Sequence, residues 1–225
     1  MRRWVRDLAA LASFGVAFAA ALCVDKPLSG WLIDSGVRDA VKGTIVAEIV
    51  KLPGDFRLTL AAAALLWVFH PARWRAAGLL LLTGIVGGAG YSVLKWAVGR
   101  IRPGKGIDAF DFTPFIDGIG GLLGGTPNLA FPSGHTTLAF ASAAALAFML
   151  PRQRWAVWAV AAAVGLERVV ETAHYPSDVV AGAVVGIASF RLTYWACTRV
   201  FKDEAGEPKE FPPGRSSSAA DSARS

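Results

Sequence analysis

Six stretches of apolar residues, separated by short polar segments, dominate the pattern along this chain. A helix that crosses the hydrocarbon core of a membrane needs about 20 mostly apolar residues. The longer stretches approach that length, and the shorter ones approach it when residues at the membrane interface are included. The pattern therefore predicts an all-α, six-helix transmembrane bundle, with helices over Leu8–Val24, Leu58–Phe69, Ala76–Leu94, Phe131–Leu150, Trp155–Leu166 and Val179–Thr198.

The bundle is predicted to occupy residues 1–202, and the residues that follow it have a different composition. Residues 203–225 are rich in Pro, Ser and Glu and contain few large apolar side chains, which is typical of disorder. Between the first two predicted spans, apolar side chains recur every four residues from Val37 to Ile49. This spacing predicts a short helix that lies on the outer leaflet of the membrane.

Composition agrees with a membrane protein and excludes several other classes. Apolar residues make up 54 % of the chain and charged residues 18 %, whereas a soluble domain carries about 25 % charged residues. The two cysteines exclude a disulfide-rich secreted module. Cys23 and Cys197 are predicted near opposite membrane faces, too far apart to form a disulfide.

The distribution of Lys and Arg predicts the orientation of the bundle. The segments 1–7, 71–75, 151–154 and 199–202 hold nine basic residues and one acidic residue. The segments on the other face total 85 residues, with 10 basic and 11 acidic residues. Because basic residues concentrate on the cytoplasmic side, both termini are predicted to be cytoplasmic, in an inner (plasma) membrane. The net charge of +6 then reflects topology, and no nucleic-acid partner is predicted. A cleaved signal peptide is the alternative for the first stretch, although it would leave an odd number of spans.

Three groups of ionisable residues fall on the predicted outer face, where charges at the edge of an apolar bundle usually mark function. The first group follows the third span. Lys95 and Arg102 are seven residues apart, so on a helix they point the same way, whereas Arg100 points elsewhere. Two such cations suit a phosphate group. Alternatively, they are ordinary membrane-flanking anchors.

The second group opens the fourth span. Ser133 is a good N-cap, and Gly134 leaves an exposed amide at the start of the helix, where the free N–H groups attract anions. His135 stands beside this site and is suited to give a proton to a departing oxygen. The alternative is a helix cap with an incidental histidine.

The third group joins the last two spans. Pro176 suits the first turn of the last helix, which places His174 in a tight turn and Asp178 in that first turn. The Asp178 carboxylate is expected to accept the proton on one ring nitrogen of His174, leaving the other nitrogen as nucleophile or base. Arg168 is expected to point into the same pocket. With no acidic cluster for Mg²⁺ and no zinc-type spacing, the inventory favours phosphoryl transfer without a metal or other cofactor.

These residues resemble the three-part signature of the type 2 phosphatidic acid phosphatase superfamily over roughly residues 8–200. The matching motifs are Lys95-x6-Arg102-Pro103, Pro132-Ser133-Gly134-His135 and Arg168-x5-His174-x3-Asp178. The resemblance implies a metal-independent lipid phosphatase that forms a phosphohistidine.

The resemblance also implies a role for each motif residue. His174 corresponds to the nucleophile, Asp178 to its orienting partner, and His135 to the acid that protonates the leaving group. The groups that correspond to the phosphate-binding set are Lys95, Arg102, Ser133, Gly134 and Arg168. The family usually has Ser before the third-motif Arg, whereas this chain has Glu167. Glu167 is expected either to steer Arg168 or to weaken the positive field, and Glu171 to brace Arg168.

Several alternatives stay open at this point. A phosphotransferase would use the same phosphohistidine, a transporter would spread its charges through the membrane depth, and a serine hydrolase would need a Gly-x-Ser-x-Gly elbow, which is absent. The predicted partner is a membrane lipid phosphate. Phosphatidic acid, phosphatidylglycerol phosphate, undecaprenyl diphosphate and lipid A 1-phosphate are the candidates, with a preference for the last two because the site faces outward.

Overall fold

The structure is a computed structural model that describes residues 3–103, 111–116, 118, 122 and 128–200. The predicted tail over residues 203–225 lies outside the described residues. The described residues contain eight α-helices: α1 (Arg3–Asp34), α2 (Val37–Val41), α3 (Ile45–Lys51), α4 (Phe56–Phe69), α5 (Arg73–Val98), α6 (Gly134–Met149), α7 (Arg154–Val170) and α8 (Pro176–Val200). They contain no β-strand apart from two isolated bridges, so the predicted all-α class is confirmed for this part of the chain.

Each predicted apolar stretch coincides with one of these helices. Three of the described helices are long and apolar enough to cross a membrane. They are α5, α8 and the part of α1 from Ala12 to Asp34. A fourth crossing results if α3, the 3₁₀ turn Leu52–Gly54 and α4 count as one span with a 63° bend. The predicted number of six crossings and the orientation of the termini stay predictions.

Small residues allow the central helices to approach closely. Helix α6 packs against α5, α7 and α8, and its Ala141 and Ala145 are completely buried. Close backbone approach of this kind is how helices associate where lipid provides no hydrophobic driving force. On α8, a Cβ atom added to Gly182 would lie 2.7 Å from the Ser133 carbonyl oxygen. Glycine at this position therefore brings the start of α6 against the start of α8.

The first helix is longer than predicted. The apolar stretch ends at Val24, but α1 continues through Pro27 to Asp34. Ala21, Asp25, Ser29 and Leu32 are buried, and their three- to four-residue spacing places them on the same face of the helix. Because this face packs against α8, Asp25 lies inside the bundle. The sequence had instead placed it just after the first span, which was predicted to end at Val24.

The connection between α1 and α4 forms two short helices instead of the single one predicted. Helix α2 ends before Gly43, which adopts a φ of 76°, and α3 starts after Thr44. The Thr44 hydroxyl caps α3 by accepting a hydrogen bond from the Ala47 N–H at 3.2 Å. Ile45 and Ile49 remain exposed, so α3 presents an apolar face.

Candidate active site

The end of α5 delivers the first group of cations in a way that the sequence did not predict. Helix α5 stops at Val98, and Gly99 adopts a left-handed φ of 65°. A side chain at Gly99 would lie 2.0 Å from the Thr113 carbonyl oxygen, so only glycine fits this turn. Arg102 therefore does not share a helix with Lys95, and the expected two-turn alignment is wrong.

An extended segment after Gly99 places Arg102 instead. The backbone of this segment is hydrogen-bonded to two other parts of the chain. The Ile101 N–H donates to the Asp111 carbonyl and the Arg102 N–H to the Asn128 carbonyl, both at 3.1 Å. The Arg102 Nε atom also donates to the Leu129 carbonyl at 3.2 Å. Burial and the nearby Arg168 lower the pKa of Arg102, and Asp178 opposes them.

The second group forms the predicted helix cap. Ser133 caps α6, and its buried hydroxyl oxygen accepts a hydrogen bond from the Thr136 hydroxyl at 2.9 Å. The Ser133 N–H donates to the Asp178 carbonyl at 3.0 Å, which fixes the start of α6 against the start of α8. Gly134 is the first residue of the helix, as predicted.

His135 follows in the first turn of α6 and is partly exposed. Arg168 and His174 are both close enough to His135 to act on its charge. The 3₁₀ turn Leu52–Gly54, in the connection between α1 and α4, packs directly against His135. His135 therefore lies between the third motif, with Arg168 and His174, and the 3₁₀ turn that follows α3.

His174 is buried in the turn that precedes α8, as predicted from Pro176. Its Nδ1 atom lies 2.7 Å from the Ala130 carbonyl oxygen. Because a carbonyl can only accept, Nδ1 must carry the proton, and Nε2 keeps its lone pair. Burial lowers the pKa of His174 to about 4, with Asp178 opposing and Lys95 and Arg102 reinforcing the shift. The ring is therefore neutral near pH 7, in the tautomer that a nucleophile needs.

Asp178 does not make the hydrogen bond that the sequence suggested. Its Oδ2 atom lies 3.8 Å from His174 Nδ1 and accepts a hydrogen bond from the Tyr175 N–H at 2.8 Å. The Ala130 carbonyl, instead of the Asp178 carboxylate, accepts the hydrogen bond from His174 Nδ1. Asp178 thus acts on His174 through its charge and through the backbone of the turn.

Arg168 is held by two acidic residues, one on its own helix and one just past the end of that helix. Its guanidinium binds Glu167 through Nε and Nη2, and Nη2 also binds Glu171 at 2.7 Å. The structure contains both expected contacts with Arg168, and whether Glu167 steers Arg168 or weakens the positive field stays a prediction. All three side chains are largely buried.

A model of the PAP2 superfamily matches residues 74–202 of the chain. The chain belongs to this superfamily. The match contains every residue of the three motifs, from Lys95 to Asp178, and so confirms the resemblance seen in the sequence.

Two relatives of the chain, both from Rhizobium, carry the name lipid A 1-phosphatase. The one from Rhizobium etli is 41 % identical over 128 residues, which cover 55 % of this chain and 52 % of the relative. The one from Rhizobium johnstonii is 33 % identical over 179 residues, covering 77 % of this chain and 66 % of the relative. The chain thus spans about half to two thirds of the length of these relatives.

One solved structure has a similar fold. The crystal structure of Aquifex aeolicus LpxE superposes with a TM-score of 0.53 at 20 % identity, over 70 % of this chain and 91 % of that one. At this identity the comparison bears on the fold alone.

One further buried charge in the PAP2 domain was missed by the sequence analysis. Arg100, predicted to point away from the site, is only 2 % exposed and donates to Asp178 Oδ1 at 2.8 Å. The available signal was its position between the two motif cations in a Gly-Arg-x-Arg-Pro segment. The predicted direction of Arg100 is wrong because α5 ends at Val98 instead of continuing through Gly99.

Proposed function

We propose that this chain is a phosphatase that removes phosphate from a membrane lipid at the outer face of the inner membrane, through a phosphohistidine on His174. The observation that carries the proposal is the hydrogen bond from His174 Nδ1 to the Ala130 carbonyl, since it leaves Nε2 as a neutral nucleophile. The names of the two Rhizobium relatives favour the 1-phosphate of lipid A as the substrate.

In the first step, His174 Nε2 attacks the phosphorus atom. The N–P bond forms as the bond between phosphorus and the lipid oxygen breaks, and the electron pair of that bond goes to the lipid oxygen. Protonated His135 gives its proton to this oxygen, so the lipid leaves as an alcohol. A bound phosphate dianion favours the protonated form of His135, because a nearby negative charge stabilises the imidazolium.

In the second step, water attacks the phosphohistidine. His135, now neutral, takes a proton from the water as the new P–O bond forms. The P–N bond breaks, its electrons return to His174 Nε2, and inorganic phosphate leaves.

The cations bind the phosphoryl oxygens and stabilise the charge that develops on them. Lys95 and Arg102 act on the charge of His174, which supports their placement around one phosphate. The Ser133 oxygen is the acceptor in its contact with Thr136, so its own proton can go to a phosphoryl oxygen. The Gly134 amide and Arg168 complete the set. A single donor of this kind is worth about 10²–10³ in rate.

The test is phosphate release from a panel of lipids by the purified chain in detergent or liposomes. The panel contains lipid A 1-phosphate, undecaprenyl diphosphate, phosphatidylglycerol phosphate and phosphatidic acid. We expect release from lipid A above the other lipids, a loss of about 10³-fold or more in His174→Ala, and no effect of EDTA. His70→Gln is the matched control, because His70 caps the far end of α4 and should leave activity unchanged.

Each other outcome points to a different function. Transfer of radiolabelled phosphate to an added lipid alcohol, instead of to water, would identify a phosphotransferase. Full activity in His174→Ala, or a strict requirement for a divalent cation, would overturn the mechanism.

A further inference from the structure

A buried network of charges connects the first helix to the turn that carries His174. Asp25 on α1 is fully buried and lies outside residues 74–202, the part of the chain that the PAP2 model matches. Its carboxylate accepts hydrogen bonds from the Ser177 N–H at 2.9 Å, from the Ser177 hydroxyl at 2.5 Å and from Arg100 Nη2 at 2.8 Å. Asp25 therefore holds both the start of α8 and the guanidinium of Arg100.

Arg100 extends the network from Asp25 to Asp178. Its Nη1 atom donates to Asp178 Oδ1 at 2.8 Å and to the Ser177 hydroxyl oxygen at 2.7 Å. The guanidinium also stacks on the ring of Tyr175, with 4.1 Å between its central carbon and the ring centroid. Such simultaneous contacts need the planar fork of arginine, which lysine lacks.

The backbone of Arg100 supplies a second route to His174. The Arg100 carbonyl accepts a hydrogen bond from the Ala130 N–H at 2.6 Å. The carbonyl of the same Ala130 accepts the proton of His174 Nδ1. Arg100 thus fixes both groups that set the state of the His174 ring, namely the Ala130 carbonyl and the Asp178 carboxylate.

We infer that Asp25 and Arg100 are positioning residues for phosphohistidine formation, and that they hold His174 and Asp178 in place from the first helix. The inference rests on the proposed function. Neither residue is expected to touch the substrate, because both are buried behind the turn of His174.

The charge of the network suggests more than a structural role. Two carboxylates and one guanidinium leave a net charge of −1 buried next to His174. A buried ion pair is on its own weak evidence for stability, since apolar residues often serve as well. A net negative charge, however, stabilises the positive charge that develops on the ring when Nε2 binds phosphorus while Nδ1 keeps its proton.

The test compares Asp25→Asn with Asp34→Asn, a matched control in which the acid lies exposed at the end of the same helix. We expect kcat to fall about 10- to 100-fold in Asp25→Asn, with KM within about twofold of the wild type, and no change in Asp34→Asn. The pH profile adds a readout that a structural role would not move. The groups that face His174 are Asp178 beside it, Lys95 on α5, Arg102 on the extended segment and His135 on α6. With these unchanged, losing the Asp25 charge should move the acid limb of kcat/KM to lower pH.

A second variant and a binding assay separate positioning from folding. Arg100→Lys keeps the charge and loses the fork, so we expect a similar fall in kcat with the acid limb in place. Both variants should still bind inorganic phosphate with wild-type affinity, measured by calorimetry, because the phosphate-binding residues are unaltered.

Three results would decide against these roles. If the wild type is active and Asp25→Asn is as active as Asp34→Asn, the inference alone fails. If activity falls only in proportion to lost phosphate binding, Asp25 is merely structural and the inference is wrong. If the wild type releases no phosphate from any lipid, the proposed function fails and the inference fails with it.

Discussion

Two buried arginines support the candidate active site, and each lies between two carboxylates. The partners of Arg100 are Asp25 and Asp178, which are 75 and 78 residues away in the chain and belong to different helices. The partners of Arg168 are Glu167 and Glu171, one residue before it and three residues after it.

The two arginines differ in how far along the chain their carboxylate partners lie. Contacts between residues three or four apart form along a single helix, whatever the rest of the chain does. The contacts of Arg100 exist only when α1, the segment after α5 and the start of α8 meet. The contacts of the two glutamates therefore fix only the position of the Arg168 side chain. The contacts of the two aspartates with Arg100 depend on how the helices of the bundle are arranged.

The largest expected contrast is in stability. In Arg100→Gln, Asp25 and Asp178 lose a buried cation that they share, which costs about 3–5 kcal/mol in the free energy of unfolding. In Arg168→Gln the loss should be about 1.5–3 kcal/mol, the usual worth of hydrogen bonds to charged groups. Glu171 lies just past α7 and is able to turn toward solvent, and burial raises the pKa of Glu167, which favours its neutral form once Arg168 is gone. Thermal unfolding in detergent measures both. Arg191→Gln, at an exposed position on α8, serves as the control. Equal losses in the two buried variants would contradict the distinction.

The elements that the sequence predicted correctly depend on local chemistry. Ser133 caps a helix because its side chain and the following glycine suit that position, and Pro176 starts α8 for a similar reason. The contacts of Glu167 and Glu171 with Arg168 follow from helix geometry. The network around Arg100 was not predictable in this way, because no spacing rule links Asp25 to a residue 75 positions later.

Two other differences also arise from contacts that the sequence does not display. The partner of His174 Nδ1 is the backbone carbonyl of Ala130, and any residue at that position would offer the same group. The early end of α5 depends on how closely Thr113 approaches Gly99, and this approach depends on the path of a later segment.

The pH profile should next distinguish Arg168 from Lys95, which acts directly on the charge of His174. Because burial lowers the pKa of His174 to about 4, the neutral form that can attack phosphorus persists down to that pH. We expect the acid limb of kcat/KM to lie near pH 4, since protonation of His174 below that pH removes the nucleophilic lone pair. Arg168→Gln should leave this limb in place, whereas Lys95→Gln should move it to higher pH, because Lys95 helps to lower the pKa of His174. A limb near pH 6.5 in the wild type would show that the ring is not buried as described.

The smallest expected effect comes from returning Glu167 to the residue that the family usually has. In Glu167→Ser, Arg168 loses one of its two carboxylate partners and keeps the contact with Glu171 at 2.7 Å. Its positive charge is then less compensated beside Arg102 and His135, both of which lie within range of it. We expect inorganic phosphate to inhibit more strongly, with a Ki about 2- to 10-fold lower, because one ion-pair partner no longer competes for the guanidinium. Glu171→Gln should change the Ki in the same direction but less, since Glu171 binds one nitrogen and Glu167 binds two. If the Ki for phosphate rises in Glu167→Ser, the carboxylate of Glu167 instead holds Arg168 in the orientation that binds phosphate, and the local pair would then share the positioning role assigned to Asp25 and Arg100.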